Sequence, residues 1–174
     1  MKVQYDKFEG GRSLLDTPAL QALGWGRSGV GRAAFDSPDE MSTDANPMKV
    51  YIAAPYECRA YAQLLQPQLV ARGCTVLASW LHAQNPDGDG EARLDLAEID
   101  QANLVVVLNP PGFERAGTGG RHVELGYALG RGKTVVLVGA PTNVFHHLTT
   151  IIRVPDHLEL FETVAAIAGA TMGR

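Results

Sequence analysis

Two acidic side chains carry the chemical interest of this sequence. Glu124 lies in Gly117-Thr118-Gly119-Gly120-Arg121-His122-Val123-Glu124-Leu125-Gly126-Tyr127-Ala128-Leu129, about one turn inside an expected helix. Asp95 lies in Leu94-Asp95-Leu96-Ala97-Glu98-Ile99-Asp100, near the start of another. An acid in a first helical turn gains about 0.3–1 kcal/mol from the helix dipole, so neither position alone demands a function. The glycines ahead of Glu124 add to the case, because they permit a close backbone approach that a merely solvated helix start does not require. Two carboxylates in one crevice suit glycosyl transfer: one acts as nucleophile or charge stabiliser at an oxocarbenium-like carbon, and the other handles a proton.

The elements that must position this pair are readable from periodicity. Apolar strand-like runs fall at Val50–Ala53, Thr75–Ala78, Leu104–Leu108 and Thr134–Val138. Amphipathic helices are expected between them, at about Arg59–Arg72, Glu91–Ala102 and Gly120–Arg131. Pro67 should kink the first or shift its start, and Gly73 should end it. A short helical segment near Val144–Leu148, a strand at Ile151–Val154 and a last helix over about Asp156–Ala168 complete the pattern. Apolar strands alternating with amphipathic helices predict an α/β domain, Rossmann-like or flavodoxin-like, with a mainly parallel sheet of about five strands. In such sheets ligands bind at the carboxyl ends of the strands, where helix N-termini present N–H groups.

The chain divides near residue 47. Residues 1–47 are rich in Gly, Ser, Asp and Pro, and only Ser13–Leu23 reads as a short helix. They are expected to form a loosely structured or accessory extension, with Met48 a candidate translation start, while residues 48–174 form the compact domain. Across all 174 residues the hydrophobic content is 45% and the net charge −4. That acidic balance speaks against a general nucleic-acid or anionic-membrane binder. No run approaches the ~18 apolar residues of a membrane span, and the first residues lack a signal-peptide core. The expectation is a soluble cytoplasmic protein. Cys58 and Cys74 form no zinc pattern and are expected to be reduced and packed near the first helix. The five histidines show no ligand spacing, and the Asp87–Glu91 acidic loop lacks the rest of a calcium loop, so no metal site is expected.

From Met48 to about Val164 the sequence resembles the nucleoside 2-deoxyribosyltransferase family, with its relatives that hydrolyse nucleotide N-glycosidic bonds. The most specific match is Val123-Glu124-Leu125-Gly126-Tyr127-Ala128-Leu129, followed by Gly132-Lys133 and an apolar strand. Supporting matches are Val50-Tyr51-Ile52-Ala53-Ala54-Pro55, Asp95 through Asn103-Leu104-Val105-Val106, and Asn143-Val144-Phe145-His146-His147-Leu148. Residues 1–47 match nothing in that family.

The resemblance implies roles. Glu124 matches the nucleophile that attacks C1′ of the deoxyribose. Asp95 matches the acid that helps protonate the departing base or binds the sugar. Tyr51 matches a tyrosine that orients the nucleophile or contacts the ligand, and a hydroxyl holding a carboxylate agrees with its place on the first strand. Thr118 falls where free-nucleoside enzymes carry an acid, so with Gly119, Gly120 and Arg121 it leans towards a 5′-phosphate. Trp80 and His82 fall where the base is contacted. Asn143, Phe145 and His146 fall where a neighbouring subunit completes the site, which implies a homo-oligomer, a dimer or larger. The expected ligand is a nucleoside or nucleotide, with no cofactor. Transfer to a second base, hydrolysis of the monophosphate and a non-catalytic nucleotide-binding module remain three distinct readings.

Overall fold

The computed structural model describes residues 47–83, 88–113, 116–117 and 119–172, the side chains of the last two excepted. The expected Ser13–Leu23 helix and Thr118 lie outside the described residues. Among the described residues, five strands and four helices follow one another as β1 (Met48–Ala53), α1 (Arg59–Val70), β2 (Cys74–Leu77), α2 (Asp89–Gln101), β3 (Leu104–Asn109), α3 (Gly120–Gly130), β4 (Thr134–Gly139), β5 (Ile151–Val154) and α4 (His157–Met172). Short 3-10 turns precede α1 (Tyr56–Cys58), follow β2 (Ser79–Leu81) and precede β5 (Val144–His147).

All strand pairs are parallel, in the order β2-β1-β3-β4-β5. This is the flavodoxin-like doubly wound arrangement. Strands covered on both faces need apolar residues at every position rather than at alternate ones. Leu104-Val105-Val106-Val107-Leu108-Asn109 is accordingly buried throughout, and so are Val50–Ala53 and Val135–Val138. Leu65, Leu69, Leu81, Ile99, Leu125 and Leu160 fill the layers above and below. Among the described residues no helix is long and apolar enough to cross a membrane.

Helix α1 corrects one expectation. It starts at Arg59 and runs through Pro67 to Val70, two residues short of Arg72. Pro67 sits in the last turn, and its carbonyl accepts the Ala71 N–H at 2.9 Å. Gly73 then takes φ +79, the left-handed conformation that ends the segment. Cys58 and Cys74 are free and buried, one at the head of α1 and the other at the start of β2.

The strand order reverses direction between β1 and β3, and in doubly wound sheets a crevice forms at that switch point, beyond the carboxyl ends of the strands. Helices α2 and α3 pack beside each other and both touch β1. Whatever α2 and α3 present near their N-terminal ends is therefore held over the switch point.

Candidate active site

Tyr51 is the floor of this crevice. It is fully buried at the middle of β1, in register with Leu77 on one side and Val105 on the other. Its hydroxyl donates to Glu124 Oε1 at 2.7 Å, joining β1 to the second turn of α3. Asp95, on α2, interacts with the same hydroxyl. Glu124, bonded to the Tyr51 hydroxyl, and Asp95, near enough to act on it electrostatically, are thus brought into one neighbourhood.

The electrostatics of this triplet are costly. Burial pushes the Glu124 carboxyl up to about 7; the Tyr51 hydrogen bond pulls it down and the Asp95 charge raises it again. Burial likewise pushes Asp95 up to about 6, against the Tyr51 bond, with Glu98 and Glu91 adding negative charge. Burial first, and then both carboxylates, hold the Tyr51 phenol well above its ordinary range, so it stays protonated. One hydroxyl has one proton, and here it goes to Glu124. Asp95 draws on the same hydroxyl, and two ionised carboxylates competing for one donor are unfavourable. The arrangement accommodates one shared proton in preference to two full charges.

A second set of residues shapes the loop between β3 and α3. Gly117 has φ +80, and a Cβ there would approach Pro55 Cβ to 3.3 Å, so the loop lies close against the end of β1. Gly119, the residue capping α3, has φ +97. Arg121 is buried rather than turned out towards a ligand. It donates to Ala116 O at 2.6 Å and to Asn109 Oδ1 at 3.3 Å, which fastens the loop to the last residue of β3. Asn109 in turn donates to Ala140 O and, at 3.3 Å, to Thr142 Oγ1. Across the crevice, Glu57 Oε1 accepts the Gly117 N–H at 3.2 Å. Burial pushes the Cys58 thiol up to about 12 despite the nearby Arg121 charge, so it is a poor nucleophile at neutral pH.

The remaining predicted residues lie around this centre. Trp80 is buried, and its indole N–H donates to Ile52 O at 2.8 Å, the carbonyl next along from Tyr51. It braces β1 from the core. His82 is exposed and meets Gln66 Oε1 at 3.0 Å. Asn143 accepts the N–H groups of Phe145 and His146 at 2.9 and 3.2 Å, while its amide nitrogen lies 3.1 Å from His122 Nδ1 and 3.0 Å from His146 Nε2. His146 is fully buried and accepts the Thr142 N–H on Nδ1. Burial, then the charges of His122, Arg121 and His147, pushes its pKa down to about 4. His122, Leu125, Gly126, Leu129, Asn143 and Phe145 line a shallow depression on the outer side of α3. Val123, Val144 and Phe145 are exposed at 68%, 76% and 64%.

The far end of the helix pair is fastened differently. Asp100 near the end of α2 accepts from Tyr127 Oη at 2.9 Å and from Arg131 Nε at 2.7 Å. Lys133 Nζ donates to the Asp100 and Ala102 carbonyls at 2.6 and 2.9 Å. This clamp fixes α2 against α3, and with them the spacing of Asp95 and Glu124. Sequence reasoning missed it, along with Glu57 and Asn109. Only Asn109 left a trace: a polar residue closing an otherwise apolar run.

No family model and no curated protein sequence matches the chain. Among solved structures, a CMP N-glycosidase of Clostridium botulinum is 19% identical, over 68% of this chain and 98% of its own, with a TM-score of 0.49. A response regulator receiver domain protein of Bacillus halodurans is 11% identical, over 71% and 97%, with a TM-score of 0.45. A glycosidase and a receiver domain stand similarly near, so likeness of fold does not separate their chemistries.

Proposed function

We propose that this protein is an enzyme that cleaves the N-glycosidic bond of 2′-deoxyribonucleosides or their 5′-monophosphates. The observation that carries the reading is the Tyr51 hydroxyl at 2.7 Å from Glu124, with Asp95 at the same oxygen. Tyr51 aims Glu124 and, by donating to it, favours the ionised form against the opposing effect of burial. Glu124 attacks C1′, and the C1′–N bond breaks with its electron pair passing to the base. Asp95, carrying the shared proton, delivers it to the departing base. The ester at Glu124 is then released by a second base, giving a transferase, or by water, giving a hydrolase.

The exposed apolar residues beside the site favour transfer. A second copy of the chain seated on Val123, Val144 and Phe145 and reaching over the crevice would keep water from the intermediate. A nucleotide-binding module is the reading of another class. It would gain little from two half-buried carboxyl groups facing an anionic ligand, whereas turnover needs both.

Chromatographic detection of free base tests the reading. Deoxynucleosides and their 5′-monophosphates are incubated separately, with and without an acceptor base, alongside Glu124→Ala. A new nucleoside formed only with acceptor base and intact Glu124 establishes the transferase. Base released without acceptor assigns the hydrolase. Absence of any Glu124-dependent product leaves the binding module.

A further inference from the structure

Asn143 spends its hydrogen-bonding capacity inside the fold. Its Oδ1 accepts the Phe145 and His146 N–H groups at 2.9 and 3.2 Å, one for each lone pair. That fixes which way the amide points, and its NH2 group faces two histidine rings. It donates to His122 Nδ1 at 3.1 Å, so the neutral His122 ring carries its own proton on Nε2. Both nitrogens of His146 face N–H donors, Thr142 at 3.1 Å and Asn143 at 3.0 Å. The neutral ring accepts from one of them, and an imidazolium would accept from neither. Burial first, and then the Arg121 charge, lowers the His122 pKa, the same direction as for His146. Two neutral rings therefore stand 5.3 Å apart between α3 and the loop after β4.

These bonds close a circuit around the entrance of α3. Asn143 holds His122, and the preceding residue, Arg121, donates to Asn109 Oδ1 at 3.3 Å. Asn109 donates to Ala140 O and to Thr142 Oγ1, and the Thr142 N–H returns to His146 beside Asn143. Two adjacent residues in the first turn of α3 are thus fastened to the segment that follows β4. The backbone supplies little direction of its own here. Gly119, at φ +97, leads into Gly120, and a Cβ at either would meet nothing within 4 Å. Glu124 follows Arg121 by three residues and His122 by two, within one helical turn of both fastenings.

We propose that Asn143 and His122 are positioning residues, whose bond locks the first turn of α3 to the loop after β4 and so fixes the direction of Glu124 towards Tyr51. Asn143 then contacts no substrate, against the role that its place in the sequence implied. The effect on turnover rests on the N-glycosidase reading, while the effect on the helix rests on the hydrogen bonds alone. Glu124 Oε1 must stay at 2.7 Å from the Tyr51 hydroxyl and in line with C1′. A displacement of about 1 Å costs on the order of a hundredfold in rate. A turn released at His122 leaves Glu124 held by Tyr51 and the Arg121 link, with more freedom to miss.

Two variants cut the bond from opposite sides, and a third restores it. Asn143→Ser keeps an oxygen to cap the turn over Val144–His147 but is too short to reach His122. His122→Ala removes the acceptor, and His122→Asn returns an amide oxygen near the place of Nδ1. Base release gives kcat and KM, and hydrogen exchange gives the opening of the Val123 and Glu124 amides. Asn143→Ser and His122→Ala should each lower kcat about tenfold or more and change KM by less than about twofold. Each should speed exchange in the first turn of α3 about tenfold and leave β1 unchanged. The double variant should be no worse than the poorer single one, because both remove the same bond. His122→Asn should recover most of the rate and of the protection. A rise in KM as the main effect of Asn143→Ser makes it a substrate contact and overturns the proposal, as do additive losses or unchanged exchange. Should Asn143→Ser fail to fold, the loss in His122→Ala and its recovery in His122→Asn decide. A wild type that releases no base from any substrate overturns the glycosidase reading, and exchange in the same variants still upholds or overturns the lock.

Discussion

Asp95 and Asp100 stand on the same helix, each beside a tyrosine hydroxyl, and their acidities move in opposite directions. Tyr127 and then Arg131 and Lys133 hold exposed Asp100 below the ordinary carboxylate range. Burial and neighbouring acids hold Asp95 above it, at about 6, despite Tyr51. A hydroxyl bond lowers a carboxyl pKa in both places. What differs is water and the sign of the surrounding charge. The Asp100 end of the helix pair is built to hold, with complementary partners. The Glu124 end is built against stability, with like charges drawn from water and a proton that must be shared. Perturbed acids of this kind concentrate where chemistry is done.

The comparison is broken most severely at Glu124. Glu124→Gln should lower base release by about a thousandfold or more, measured by single-turnover chromatography. The same variant should be more stable than the parent at high pH. The folded pKa of about 7 lies above the ordinary 4.5, so the folded state holds this proton more tightly than the unfolded chain. Its contribution is full below 4.5 and is lost as pH rises through 7. The ionised carboxylate then costs about 3 kcal/mol at pH 8. Urea titrations of both proteins at pH 5 and pH 8 should show the gain at pH 8 and little of it at pH 5.

Asp95→Asn removes the proton donor and should cost about 10²–10⁴ in kcat with bases that are poor leaving groups. The wild-type profile of kcat/KM against pH should be bell-shaped, with apparent values near 6 and 7 that belong to the pair rather than to either residue. Asp95→Asn should abolish the alkaline limb. Tyr51→Phe should cost about ten- to hundredfold, the loss of one hydrogen bond to a charged group. Because that bond lowers the Glu124 pKa, its removal should move the acid limb to higher pH. The smallest effect is expected at the other end: Asp100→Ala should lower the melting temperature by a few degrees and leave the pH profile in place.

What the amino-acid order discloses follows the same division. The strands are legible because a sheet covered on both faces demands unbroken apolar runs, as at Leu104–Leu108 and Val135–Val138. Glu124, Asp95 and Tyr51 are legible because each stands at a fixed offset from such a run. Residues whose partners are set by topology are not. Glu57 and Gly117 are 60 positions apart in loops without periodicity. Arg121 reads as a surface cation beside glycines, and only the close passage of β3 shows that Ala116 and Asn109 take its protons inward. Trp80 reads equally well as a stacking platform or a core ring, and its bond to Ile52 depends on β1 lying next to β2.

The strand order also has a kinetic consequence. Strand β1 is made before both of its neighbours, and its pairing with β3 must wait until α1, β2 and α2 have been synthesised. Contacts between segments so far apart in the chain form slowly, since a long loop must close first. The first half of the domain can therefore begin to order while Tyr51 is still partnerless. The mutually repelling carboxyl groups are brought together only when α3 docks, so the step that completes the crevice is expected to come late in folding. In hydrogen-exchange experiments the N-terminal turn of α3 should accordingly open more readily than β1 beneath it.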